Sequence, residues 1–125
     1  MNVVDSSGWL EYFADGPNAG FFSPVIENVT ELLVPVISIF EVFKRVMQQR
    51  GEDEALQAVA LMQQGRLAEF TAALALAAAR LSLAERLPMA DSIMLATAQA
   101  HEAILWTQDA DFEKVDGVRF IARKR

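Results

Sequence analysis

Apolar residues along this chain come in two rhythms: short unbroken runs, and longer stretches at helical spacing. The short runs predict buried strands over Asn2–Asp5, with Val3 and Val4 at the centre, Leu32–Val36, Ala103–Thr107 and Val118–Ala122. Arg66–Glu69 reads as a further short strand between the second and fourth runs. Pro35 offers no N–H, so the second strand ends there or lacks a ladder bond. Between the strands the apolar period lengthens. Ser6 and Ser7 are placed to cap a helix in which Trp9, Leu10, Tyr12 and Phe13 recur, and Asp15-Gly16-Pro17-Asn18 stops it. Further helices are expected over Gly20–Asn28, from Ser38 to about Gln49 with Arg50-Gly51 closing it, and over Glu52–Gln64. Thr71 to about Leu87 is alanine-rich and strongly helical. Pro88 opens another helix that runs to about His101, with Asp91 in its first turn. Asp109–Glu113 is a turn or short helix, and Arg123-Lys124-Arg125 a basic tail. There is no internal repeat and no low-complexity linker.

Strands alternating with helices imply an α/β fold with a mostly parallel sheet and right-handed crossovers. In such sheets functional groups collect beyond the carboxyl ends of the strands. Asp5 ends strand one, Glu41 lies one helical turn past strand two, and Asp109 lies just past strand four. Asp91 joins them if its helix starts near the same edge. Each acid also has an ordinary structural role open to it. Ser38-Ile39-Phe40-Glu41 fits a capping box, and Glu41 is also four residues from Arg45. Asp91 in a first turn is favoured by the helix dipole alone. Asp109 can cap a short helix, and Asp5 can close a turn. Together the acids weigh differently, because their immediate neighbours include no basic residue. Unless Arg45 or another distant cation folds in, a divalent metal is the economical neutraliser. Oxygen donors without His or Cys suit Mg²⁺ or Mn²⁺. Such an ion activates water and stabilises charge on a phosphate in transfer.

Composition narrows the picture. The 125 residues fit one domain, 1–125, and 53% hydrophobic content is enough for a core. Cysteine is absent, which excludes disulfides and thiolate chemistry and suits a reducing compartment. The N-terminus lacks a basic start with a long apolar run, and no stretch approaches the roughly 20 apolar residues of a membrane span. These features favour a cytoplasmic protein with no membrane contact. The net charge of −6 counts against a passive nucleic-acid binder, and less against a nuclease whose acids carry cations. The single histidine, His101, sits at a helix end and reads as a dipole partner or solvated side chain. No Gly-x-Ser-x-Gly elbow, P-loop or dinucleotide fingerprint is present. Trp9, Phe13, Phe21 and Phe22 read as core, although exposed aromatics would mark a partner site.

Four segments occur in a recognisable order: Val3-Val4-Asp5-Ser6-Ser7, Ile39-Phe40-Glu41-Val42, Leu87-Pro88-Met89-Ala90-Asp91-Ser92-Ile93-Met94-Leu95-Ala96-Thr97-Ala98, and Trp106-Thr107-Gln108-Asp109-Ala110-Asp111-Phe112. In this order the chain resembles PIN domains, and most of all the toxin subunits of VapBC-type toxin–antitoxin pairs. The resemblance covers nearly the whole chain. It implies a PIN-like three-layer fold, with a mostly parallel five-stranded sheet flanked by helices, and Mg²⁺- or Mn²⁺-dependent endoribonuclease activity. It maps the family's acidic positions onto Asp5, Glu41, Asp91 and Asp109, as catalytic and metal-holding residues. Ser6, Thr107 and Asp111 become supporting residues. It further implies an RNA substrate, a cognate antitoxin and a homodimer. The alanine-rich stretch from Leu74 to Ala79 departs from the family's pattern without touching the acids.

Two other readings stay open on residues alone. A non-catalytic binding module would keep the fold without the chemistry. Aspartyl-phosphate chemistry of the haloacid-dehalogenase or receiver type fits less well. Ser7 stands where the phosphatase pattern wants an acid, and Lys114 is not at a late strand end. Asp109, directly after strand four, is expected to face the sheet edge, and Asp111, two residues on, to be turning away.

Overall fold

The computed structural model describes residues 1–124, so Arg125 of the basic tail lies outside the described residues. The strands are β1 Asn2–Val4, β2 Leu33–Pro35, β3 Arg66–Ala68, β4 Ile104–Thr107 and β5 Val118–Phe120. Between them run α1 Ser6–Phe13, α2 Ala19–Glu27, α3 Val36–Arg50, α4 Glu52–Met62, α5 Ala72–Glu85 and α6 Met89–Ala100, with 3₁₀ turns at Val29–Glu31 and Ala110–Phe112. Every strand pair is parallel: β1 with β4, β4 with β5, and β2 with β3. A single parallel bridge between Asn2 and Leu32 joins the two ladders, giving the order β3-β2-β1-β4-β5. The expected five-stranded sheet is therefore present, held at its middle by one bridge.

Successive residues of a strand face opposite sides, and the sheet uses both. Val4, Leu32 and Val34 pack with Trp9, Phe22, Ile26, Val42 and Met62 beneath α1–α4. Val3, Leu33, Ala68 and Leu105 pack on the other side with Met94, Leu95, Ala98 and Phe112. This makes three layers and explains why the strands read as unbroken apolar runs. The alanine-rich α5 packs on α6 through Leu74, Ala78, Ile93 and Ala96, where small side chains let two helices approach. Trp9 and Phe22 are fully buried, while Phe13 and Phe21 are half-buried against the same core. The first two are thus unavailable to a partner.

Several expected element ends move. Val36 is helical rather than extended, because α3 begins directly after Pro35. Proline's fixed φ and missing N–H suit the boundary between a strand and a helix. Ser38 is therefore inside the helix and does not open it; its hydroxyl meets the Met94 sulfur at 3.2 Å. The capping box proposed for Ser38 and Glu41 does not form. Ser6 and Ser7 are likewise inside α1, and Asp5 is the capping residue. α5 ends at Glu85, with Arg86 left-handed at φ 55° in the turn before Pro88.

Candidate active site

Because all strands run parallel, the ends of β1 and β4 and the start of α3 after β2 meet at one edge. α6 also begins there, so Asp91 reaches the same place from its first turn. Pro88 precedes it at the helix start, and no side chain caps the free N–H groups. The positive end of the α6 dipole therefore faces the acids.

Asp5 is buried, at 2% exposure, and three donors hold it. Thr107 Oγ1 donates to Oδ2 at 2.6 Å, and Ser7 Oγ and the Gly8 N–H donate to Oδ1 at 2.8 and 3.0 Å. A carboxylate accepts about four hydrogen bonds, so one acceptor site on Asp5 remains unused. Burial nevertheless pushes the Asp5 carboxyl up to about 6, against the pull of these donors, and the Asp109 charge adds to the rise. Gly8 is essential to this corner: a Cβ there would lie 2.6 Å from Val4 Cγ1 and 2.7 Å from Phe22 Cε1. Only glycine lets α1 start this close to β1.

Asp91, Asp109 and Asp111 each offer a carboxylate oxygen, and these oxygens lie within 4.8 Å of one another. Asp111 therefore faces the cluster and does not turn away as expected. The reason is the 3₁₀ turn after β4, in which Asp109 Oδ1 accepts the Asp111 N–H at 2.9 Å and brings the next acid round. Asp109 is positioned from behind, its N–H donating to Thr107 Oγ1 at 2.9 Å. Thr107 thus links Asp5 and Asp109 through one hydroxyl. The Asp91 carboxyl is pushed up to about 8, first by burial, then by the Asp109 charge, a hydrogen bond with Asp111 and the charges of Asp5 and Asp111. Glu41 stands apart from the tight group and is joined to it through Ser6, whose hydroxyl donates to Glu41 Oε1 at 2.6 Å.

Among the described residues no Lys or Arg pairs with any of these acids, and Arg45 does not bridge to Glu41. The donor set is all oxygen, and burial, with like charge adding to it, raises the Asp5 and Asp91 carboxyls. That is the chemistry of a hard divalent metal site, and the residues fit one. Two buried amides that sequence reasoning missed brace the edge. Asn18 Nδ2 donates to Gln108 Oε1 and to the Ala122 carbonyl, both at 3.0 Å, and Gln108 Nε2 donates to the Ser7 carbonyl at 3.3 Å. Gln108 was flanked by the Thr107 and Asp109 signals, but Asn18 lay in a stretch legible only as a helix stop. His101 is remote, its Nδ1 3.0 Å from the Thr97 carbonyl at the far end of α6.

The sequence matches the family model described as PIN domain over residues 3–118. A search of curated proteins gives no match. Among solved structures, a toxin–antitoxin complex from Klebsiella pneumoniae contains a chain 22% identical, with TM-score 0.77, covering 94% of this chain and 95% of that one. VapC20 of Mycobacterium tuberculosis, described as a sarcin–ricin-loop-cleaving toxin, is 16% identical with TM-score 0.79, covering 95% and 98%. The DNA-bound VapBC of Salmonella typhimurium is 14% identical with TM-score 0.71, covering 98% of each chain. At these identities the likeness is one of fold.

Proposed function

This chain belongs to the PIN-domain family, and from that premise we propose that it is a metal-dependent endoribonuclease, the toxin of a type II toxin–antitoxin pair. The observation that carries the reading is the group of Asp91, Asp109 and Asp111 at one sheet edge, with Asp5 held beside it and, among the described residues, no Lys or Arg paired with them. We assign Asp5, Asp91 and Asp109 as the central metal-holding acids. Glu41 stands at the rim, and Asp111, Ser6 and Thr107 support them. A divalent ion, Mg²⁺ or Mn²⁺, would supply Lewis acidity and an activated water for attack on a phosphodiester.

The chain's own groups do the rest. Thr107, Ser7 and Gly8 hold the Asp5 carboxylate in one orientation with one acceptor site left unused. A bound divalent cation would favour the ionised Asp91 carboxylate, offsetting the burial and like charge that raise its pKa. Ser6 holds Glu41 at the rim, where it can accept a proton from an approaching water or hydroxyl. The α6 N-terminus adds a fixed partial positive charge where phosphate charge builds.

The solved relatives described as toxin–antitoxin or VapBC complexes support an antitoxin as the protein partner. A homodimer and a cytoplasmic setting, where RNA is available, complete the proposal. No helix among the described residues is long and apolar enough to cross a membrane. The test is incubation of the purified protein with total cellular RNA in Mn²⁺ or in EDTA, with the new ends mapped. Cleavage should occur only in Mn²⁺ and disappear in Asp5→Asn and Asp91→Asn proteins of unchanged circular dichroism. Rates above one tenth of wild type in either variant would remove that residue from the site.

A further inference from the structure

The carboxylate edge leaves one problem for an RNA ligand, which is repulsion. The chain carries a net charge of −6, and the acids stand where phosphate must come. Cations close by must offset this, and α3 provides them. Residues four apart on a helix share a face, so α3 presents two neighbouring stripes beside the site: Phe40, Lys44 and Gln48, and Glu41, Arg45 and Gln49. Phe40 is 61% exposed, although nothing in the fold requires a phenyl ring in water there. Lys44 Nζ sits 5.8 Å from its ring centroid. Phe40, Glu41, Lys44, Arg45 and Gln48 line a depression of about 330 Å³. A second depression, also about 330 Å³, includes Ser7, Glu11, Arg45, Gln49, Gln108 and Arg123. Arg45 lines both, and the second reaches Ser7, whose hydroxyl donates to Asp5, and Gln108, whose amide donates to the Ser7 carbonyl. Among the described residues the ion pairs are Met1–Glu31 and Arg50–Glu54. Lys44, Arg45 and Arg123 thus stay exposed and unpaired in a chain with an excess of acids.

We propose that this face of α3 is a nucleotide subsite for single-stranded RNA. One unpaired base stacks on the Phe40 ring with Gln48 at its edge, and the flanking phosphates lie on Lys44, Arg45 and Arg123; the inference rests on the nuclease reading above. An exposed ring flanked by cations and an amide is what an unstacked base needs. An apolar partner helix would instead find its match in the cleft lined by Leu10, Phe13, Val46 and Leu61. The RNA strand then runs along α3, with the base on the Phe40 side and the scissile phosphate toward the acids beyond Glu41.

The test uses the full chain with a short fluorescein-labelled oligouridylate. Anisotropy in EDTA reads binding without cleavage, and steady-state cleavage of the same RNA in Mn²⁺ reads KM and kcat. Phe40→Ala should weaken binding about tenfold and raise KM by a similar factor with kcat unchanged. Phe40→Trp should bind at least as tightly as wild type. Lys44→Ala and Arg45→Ala should each lower the slope of log K against log salt by about 0.7. Unchanged melting temperatures guard against misfolding. If wild type cuts the RNA and Phe40→Ala alters neither KM nor binding, the subsite is overturned and the nuclease reading stands. Binding that depends on Phe40, with no cleavage of total cellular RNA by wild type in Mn²⁺, supports the subsite and sinks the nuclease reading. If Phe40→Ala leaves RNA binding intact but releases a copurifying protein, the face belongs to that protein and the proposal fails.

Discussion

At the scale of single residues, the account turns on how few groups hold the acids in place. Thr107 Oγ1 donates to Asp5 and accepts from the Asp109 N–H, so one hydroxyl aligns two carboxylates. Thr107→Val should therefore weaken Mn²⁺ binding by about 10- to 100-fold in calorimetry, and Thr107→Ser should keep most of it. Equal affinities in all three proteins would remove Thr107 from the site. Asp109 is half-buried and braced by Thr107, whereas Asp111 is exposed. Asp109→Ala should then cost more cleavage activity than Asp111→Ala, and the reverse order would shift the centre of the site outward. Protonation adds a pH signature. Asp5 and Asp91 sit at about 6 and about 8 in the folded chain, both above the ordinary 3.8. The folded state therefore holds more protons than the unfolded state between about pH 4 and pH 8, and stability without metal falls as pH rises through that window. Asp91→Asn removes one of the two titrations. In EDTA, the urea midpoint of wild type should fall relative to Asp91→Asn between pH 5 and pH 9. A constant difference would show that Asp91 is not displaced in the folded chain.

At the scale of elements, the site is assembled from chain turns and not from any one segment. β1 ends at Val4, Asp5 caps α1, and Gly8 lets that helix lie against Val4 and Phe22. Gly8→Ala keeps every acid but adds a methyl with nowhere to go. It should destabilise the fold by about 1–3 kcal/mol and reduce cleavage, because the Gly8 N–H holds Asp5. Wild-type stability by urea titration would show that α1 can shift freely. Element types were legible in the sequence, since unbroken apolar runs and helical spacing differ in period. Element starts were less so. Ser38, Ser6 and Ser7 have the chemistry of caps, but Pro35 and Asp5 come first in the chain and end the strands directly into helices. The 3₁₀ turn that carries Asp111 back to the cluster was also hidden, because a tight turn and a departing loop share the same residues.

For the whole molecule, the parallel sheet explains why acids far apart in sequence converge. Asp5, Glu41 and Asp109 follow strands at the same edge, and that much was legible from their positions alone; Asp91 was legible there only on the condition that α6 starts at that edge, which it does. Packing was not: the buried braces Asn18 and Gln108 depend on the turn before α2 meeting the segments that follow β4 and β5, which no local pattern announces. The fold gathers like charge at one edge and, among the described residues, pairs none of it with a Lys or Arg, so the claim to test is that this edge is built for a divalent metal. Thermal melting of wild type in EDTA and in Mn²⁺ tests it without any substrate. Metal bound only by the folded state adds about 2.7 kcal/mol at a hundred times its dissociation constant. At about 4 °C per kcal/mol for a domain of this size, the melting temperature should rise by about 10 °C. Asp5→Asn should melt above wild type in EDTA and gain less from Mn²⁺, having lost one repelling charge and one ligand together. If wild type melts at the same temperature in both buffers and Asp5→Asn is less stable in each, the acids are helix caps and turn formers, and the metal site does not exist.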